Sequence, residues 1–311
     1  MTSAAAFPYE TPAPPPKPSP LGGEGWVRGH AATPITEAGS APPSLQRARG
    51  ELVVTWRDRN GTTALADLRQ DGCLKARFPC PTGWAEAVML NSSGGVAAGD
   101  QLRLRLAVGA NAKATFTAQA AERFYRARPT DPPATIHTTL AVAEGASAEW
   151  LPQETILFDH AALTRTLSVD LAESAWFLGI ETLVFGRAMM GETVHALRLR
   201  DTITIRRAGK LALHDAIRLE GEAAPILAAR AGTGGAIATA TIIHAAPDAA
   251  AHLAPLRAAW ENTPAQAAAS TWNNLLVARL VAPDSATLRT SIVAALSVLR
   301  EARPVPRVWN C

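Results

Sequence analysis

Residues Gln101–Val108 read QLRLRLAV. In an extended chain successive side chains point to opposite faces, so Leu102, Leu104 and Leu106 fall on one side and Arg103 and Arg105 on the other. A helical turn of 3.6 residues would scatter the same leucines around its axis. The stretch therefore predicts a half-buried β-strand. The same alternation returns in ELVVTWR (51–57), TIHTTLAV (135–142), LTRTLSVDL (163–171), HALRLRDTITIRR (195–207) and KLALHDAIRLEG (210–221). Turn-forming pairs punctuate these runs at Asn60-Gly61, Asp71-Gly72, Glu144-Gly145 and Ala208-Gly209. A chain of this kind is mainly β, built as a sandwich, a barrel or stacked sheets.

Helical periodicity comes late. Residues 248–262 predict a short helix interrupted at Pro255, and Asp284 is placed to cap a helix running to about Arg300 with Leu288, Ile292, Leu296 and Leu299 on one face. At the other end, residues 1–45 hold ten of the 23 prolines, which disfavour regular hydrogen-bonded ladders. This predicts a disordered proline-rich tail over 1–45 and a single β-rich domain over 46–311.

Hydrophobic residues make up 48% of the 311 and charged residues 18%, enough to build a sizeable core. The net charge of +3 and the absence of any Lys/Arg-rich run argue against nucleic acid as a partner. No apolar run is long enough to span a membrane, and the N-terminus lacks the pattern of a secretory signal. Cys73, Cys80 and Cys311 form no CxxC pair and no paired framework, which fits a reducing cytoplasm better than secretion.

Four segments carry unusual chemistry. NSSGGVAAGD (91–100) has the glycine spacing of a phosphate loop, but Asp100 stands where that loop needs lysine, and a strand follows where it needs a helix. The glycines read as a turn, and Asp100 as an acid facing a cavity, a cation or a partner. EWLPQETILFDH (149–160) gathers Glu154, Asp159 and His160, types that bind divalent metals, around a strand break at Pro152. FGRAMMGE (185–192) brackets a methionine pair with glycines and reads as a turn followed by a strand from Glu192. QAAERFYR (119–126) sets aromatics among arginines, as the centre of an interface does and as an edge strand with a buried Phe also does. No nucleophile motif or dinucleotide fingerprint is present.

These segments, followed by WNNLLVARL (272–280) and the closing PRVWN (306–310), occur in an order and at distances that resemble the urease accessory protein UreD (UreH) family, from about Glu51 to the C-terminus. The resemblance implies a β-helix-like stack of sheets with a few C-terminal helices and no enzymatic activity. It implies a urease maturation chaperone that binds the accessory protein UreF and through it the GTPase UreG. That assembly docks on apo-urease and passes nickel through an internal tunnel, with Ni²⁺ held only in transit. Matched by motif, Asp100, Glu154, Asp159, Glu192 and His160 are the expected metal-relay residues. Tyr125, Arg126, Arg307 and Trp309 are the expected partner contacts. Scattered carboxylates suit such a route, because thiolate or multi-histidine sites would retain nickel. Two other readings stand beside it: a metal-dependent hydrolase using Asp100, Glu154, Asp159 and His160, and a purely structural binding module.

Overall fold

The computed structural model describes residues 46–80 and 83–310; the proline-rich segment 1–45 and Cys311 lie outside the described residues. Two stacked sheets dominate. The first contains β1 (Arg49–Arg59), β2 (Thr62–Gly72), β5 (Gln101–Val108), β8 (Ala134–Val142), β11 (Ala162–Leu171), β13 (Ala196–Arg207) and β14 (Lys210–Glu222), in the order β14-β13-β11-β8-β5-β1-β2. The second runs β16-β17-β15-β12-β9-β6-β4-β3, from β16 (Gln266–Trp272), β17 (Leu275–Ala282), β15 (Ala238–Ala245), β12 (Trp176–Phe185), β9 (Ser147–Leu151), β6 (Lys113–Ala118), β4 (Ala85–Asn91) and β3 (Leu74–Arg77). Short β10 (Thr155–Leu157) pairs with β12 and with β7 (Glu122–Phe124).

The chain winds between the sheets. It lays β5, β8, β11 and β13 side by side in parallel in the first sheet, and β6, β9 and β12 in parallel in the second. This is the β-helix-like stack expected from sequence. Antiparallel hairpins close it, β1–β2 and β3–β4 at one end, β13–β14 and the β12-β15-β17-β16 run at the other. Parallel register aligns like with like on the inward face. Leu106, Leu140, Val169 and Ile205 form one ladder, and Leu104, Thr138, Leu167 and Ile203 the next. In the third, Leu102 and Ile136 are followed by Arg165 and Asp201. A charged pair thus occupies a ladder that is otherwise apolar, where burial is costly unless the charges are paired.

The second sheet is buried on both faces. Phe116, Phe177 and Leu183 face the first sheet, while Leu178, Ile180 and Ile242 pack with Leu256, Trp260, Leu288, Ile292 and Leu296 of α2 (Leu253–Trp260) and α3 (Ser285–Leu299). Asp284 caps α3 as expected, its Oδ1 accepting from Thr287 N at 2.7 Å. Pro255 does not interrupt α2. It falls in the first turn, where a backbone N–H has no helical partner to lose, and a 3-10 turn, Ala249–His252, leads into it. One more short helix, α1 (Ala223–Ala228), was not signalled by periodicity. Glu192 does not begin a strand: the 3-10 turn Ala188–Met190 comes before it, and β13 starts at Ala196.

Candidate functional site

Between the sheets lies a cavity of about 270 Å³. Its lining includes Asn91, Gly94 and Gly95 of the glycine loop and Gln119–Phe124 of the QAAERFYR segment, and the exposed members Gly94, Gln119, Ala120 and Arg123 mark its mouth. Its walls include Leu104, Thr138 and Trp150, and at its depth stand Arg165 and Glu181. Glu181 also lines a second, water-sized space with Asp201 and Asp215. Arg165 donates to both oxygens of Asp201, Nε to Oδ1 at 2.9 Å and Nη2 to Oδ2 at 2.6 Å, and its Nη1 donates to Thr155 Oγ1 at 2.8 Å. The same Nη1 lies 2.6 Å from Glu181 Oε2, but without the angle of a hydrogen bond, so that oxygen has no donor. Glu181 Oε1 accepts from Trp150 Nε1 at 2.8 Å.

Burial sets the charge states here. It works against the Arg165 guanidinium, yet Asp201 and Glu181 more than offset it and raise its pKa above the ordinary value. Burial also pushes the Glu181 carboxyl up, with Arg165 opposing and Asp201 adding to the rise. On the cavity lining, burial raises Glu122, which accepts from Asn91 Nδ2 at 3.1 Å.

Outside the cavity, Asp159 is the hub of a second cluster. Its Oδ1 accepts from the backbone N–H groups of His195 (2.7 Å) and Ala196 (3.2 Å), and its Oδ2 pairs with Arg126 Nη2 at 3.0 Å and faces His160 Nε2 at 3.4 Å. Burial alone would raise Asp159, but these donors hold its carboxyl below the usual range. Glu192 is held low by the Arg187 guanidinium, and its Oε1 accepts from Asp159 N at 3.3 Å. Arg187 lies 4.1 Å over the Phe158 ring, and Phe158 meets Tyr125 edge-on at 5.4 Å. Met189 and Met190 project beyond this group into solvent. The structure therefore gathers Tyr125, Arg126, Asp159, His160 and Glu192 in one cluster beside the glycine loop; none of them lines the inter-sheet cavity, and His160 lines a separate cleft with Arg128, Arg198 and Glu220.

The other expected residues lie elsewhere. Asp100 is buried and faces no cavity: its carboxylate accepts from Ala48 N (2.7 Å) and Ala97 N (2.8 Å), closing the glycine turn. Glu154 accepts from Arg289 Nη1 at 2.7 Å, and Arg289 also donates to Trp309 O at 2.7 Å. Trp309, expected from sequence as a partner contact, is buried in the structure. Its side chain is 5% exposed, packs in the helix-side core and donates through Nε1 to Leu151 O at 3.2 Å. Arg307 is exposed on the closing 3-10 turn. Among the described residues no three His, Cys, Asp or Glu side chains form a group that could hold a metal ion, so the four-residue hydrolase centre is not assembled. Nor is any described helix long and apolar enough to cross a membrane.

Sequence reasoning missed Arg165, Glu181 and Asp201, although a signal was present. Arg165 falls in phase with Leu163, Leu167 and Val169, and Asp201 with Leu199, Ile203 and Ile205. A charge in the apolar phase of an alternating strand marks a buried, paired group.

A family model described as UreD urease accessory protein matches residues 48–310. The chain belongs to the UreD family of urease accessory proteins. It is 44% identical to the "Urease accessory protein UreD" of Dinoroseobacter shibae, over 88% of this chain and 96% of the relative. It is 39% identical to that of Rhizobium rhizogenes, over 88% and 98%. To that of Xanthobacter autotrophicus it is 40% identical, over 91% and 96%. Three of the segments that carried the sequence resemblance, the glycine loop, QAAERFYR and EWLPQETILFDH, contribute residues to the cavity lining.

The glycine loop of this UreD-family chain has a packing reason. Tyr125 lays its ring on Gly95 and donates to Gly94 O at 2.5 Å. A Cβ at Gly95, whose φ is +134°, would come within 2.6 Å of that ring. Gly95→Ala is expected to cost about 1–3 kcal/mol in urea unfolding through strain and displacement of Tyr125. Gly94→Ala, with nothing within 4 Å, should cost less.

Proposed function

We propose that this chain is a non-catalytic urease maturation chaperone of the cytoplasm. It scaffolds an accessory complex with UreF and UreG on apo-urease and conducts nickel through the inter-sheet cavity toward the urease active site. The observation that carries the reading is the cavity itself, which opens among the family's motif segments and leads to the carboxylates of Glu181 and Asp201. Its acids suit a cargo ion that must leave again. Glu122 and Glu181 are shifted toward their neutral forms, and among the described residues no cluster of His, Cys, Asp or Glu stands ready to retain nickel. The exposed patch of Tyr125, Arg126, Met189 and Met190 is the surface assigned to partner contact.

A urease-positive host lacking this gene, complemented with wild type or with Ala118→Trp, tests the reading. Ala118 lines the cavity, two residues along β6 from the inward-facing Phe116 and so on the same face. Wild type should restore the nickel content of purified urease. Ala118→Trp should leave it several-fold lower while UreF is still captured. Full loading in the Trp variant, or in the deletion strain, would contradict the proposal.

A further inference from the structure

We propose that Arg165 is a valence gate in this passage: a resident cation whose bonds to Glu181 and Asp201 a divalent metal ion can replace and a monovalent ion cannot. The inference rests on the nickel-conduction reading and adds a selecting element to it. Arg165 lines the large cavity, Asp201 lines the small space beyond, and Glu181 lines both. The triad therefore stands where the two spaces adjoin. It holds two carboxylates and one guanidinium, which leaves one formal negative charge when all three are ionised, a state that an entering cation selects by displacing the proton that burial favours on Glu181.

A monovalent ion entering the triad could at best replace the single charge of Arg165, while giving up the two-pronged contact with Asp201 at 2.9 and 2.6 Å. Such forks are stronger than single contacts. A divalent ion satisfies both carboxylates at once, and in a water-poor interior the extra charge weighs heavily. The side of the triad that gives way first is also defined. Glu181 Oε2 faces Arg165 Nη1 at 2.6 Å without hydrogen-bond geometry, whereas Asp201 is gripped at both oxygens. Glu181 thus turns to the incoming ion first and Asp201 afterwards. Arg165 recloses on both when the ion has left, so the passage never offers two bare carboxylates that would hold the metal. Beyond the triad, the partly exposed Arg279 donates through Nη2 to Asp215 Oδ1 and through Nη1 to Thr241 Oγ1 at 2.5 Å. The next acid along the route is therefore also guarded by an arginine.

The test is nickel binding by equilibrium dialysis of the full chain in a potassium-salt background, read beside urease nickel content in complemented cells. Arg165→Met leaves both carboxylates without their guard and should bind Ni²⁺ about tenfold or more tightly than wild type, a change of about 1.4 kcal/mol. Urease loading should fall several-fold although UreF is still captured. Glu181→Gln, nearly isosteric and able to keep the Trp150 contact, should bind more weakly than wild type and also load poorly. Where Arg165→Met does not fold by circular dichroism, Arg165→Lys, which lacks the fork, should bind nickel a few-fold more tightly. Wild-type affinity in the folded Arg165 variant, or full urease loading by it, overturns the gate. If Ala118→Trp blocks loading while the Arg165 variants behave as wild type, the gate alone fails. If Ala118→Trp loads urease normally, the conduction reading fails and the gate with it.

Discussion

Arg300→Met is expected to destabilise the protein by about 3 kcal/mol, the cost of taking the two-pronged partner from a buried charge that keeps only Arg303 and Thr115. The charge is Glu149, fully buried on the helix side of the second sheet. Arg300 donates to both its oxygens, Nε to Oε1 at 2.9 Å and Nη2 to Oε2 at 3.0 Å. Thr115 Oγ1 donates to Oε2 at 2.6 Å, and Arg303 Nη2 lies 2.9 Å from Oε1. Arg300 Nη1 also donates to the backbone oxygens of Arg303 and Pro304, which ties the end of α3 and the closing segment to the sheet. Methionine can fill the space but supplies no donor. Urea unfolding monitored by circular dichroism measures the loss, and the melting temperature should drop by about 10 °C. The double variant Glu149→Met/Arg300→Met removes both charges and should regain most of the stability, because an apolar pair of similar volume packs in their place. Arg303 tolerates this change, being part-exposed and stacked 3.7 Å over the Trp84 ring. A loss below about 1 kcal/mol in the single variant, or a double variant no better than the single, would show that this cluster does not anchor the C-terminal segment.

The same residues show what could be read from the chain and what could not. QLRLRLAV became β5 with the leucines inward and the arginines outward, and the other alternating runs became strands of the same first sheet. That sheet has one wet face, so its sequence alternates. The second sheet is covered on both faces. WFLGIETLVF in β12 and LLVARLVA in β17 therefore read as apolar runs with no period to mark them. Glu149 and Glu181 sit in such runs, and their partners Arg300, Arg165 and Asp201 come from distant segments joined only by the winding of the stack. The acids and histidine around Pro152 were legible as residue types only: Asp159 touches His160 and Glu192, but among the described residues no three such side chains form a group that could hold a metal ion. Asp100 and Glu154 looked alike in sequence, yet the fold commits the one to backbone donors and the other to Arg289. A carboxylate that closes a turn and a carboxylate that lines a conduit are the same letter, and only tertiary placement separates them.

His244 is expected to make stability fall as the solution is acidified through the weakly acidic range. It lies at 0% exposure in β15 on the helix side, and neither ring nitrogen has a hydrogen-bond partner. Around it are Trp176 of β12 at 5.1 Å between ring centroids, His252 of the 3-10 turn at 4.9 Å, and Asp248 just before that turn. Arg303 of the closing segment lies over the far side of Trp176 at 5.9 Å. Burial, helped by His252 and opposed by Asp248, pushes the His244 pKa down from 6.5 to about 4. Above the ordinary value both folded and unfolded chains hold a neutral ring, and the folded state has its full stability. Between 6.5 and about 4 the unfolded chain takes up a proton that the folded chain refuses, so stability is lost as pH falls. Below about 4 both are protonated and the slope ends. The difference of 6.5 and 4 is 2.5, which at about 1.36 kcal/mol per unit amounts to about 3 kcal/mol. His244→Leu removes the titrating ring and two buried nitrogens that lack partners. At neutral pH it should therefore be no less stable than wild type, and near pH 4 it should be ahead by about 3 kcal/mol more than at neutral pH. Glu86, Glu122 and Glu181, whose raised values act in the opposite sense, are present in both proteins and cancel in the difference. Urea unfolding of the two proteins at about pH 7.5, about pH 5.5 and about pH 4.5 measures the gap directly. Parallel stability curves would mean that the His244 ring is protonated in the folded protein, and that the space between Trp176 and His252 admits a charge that its burial argues against.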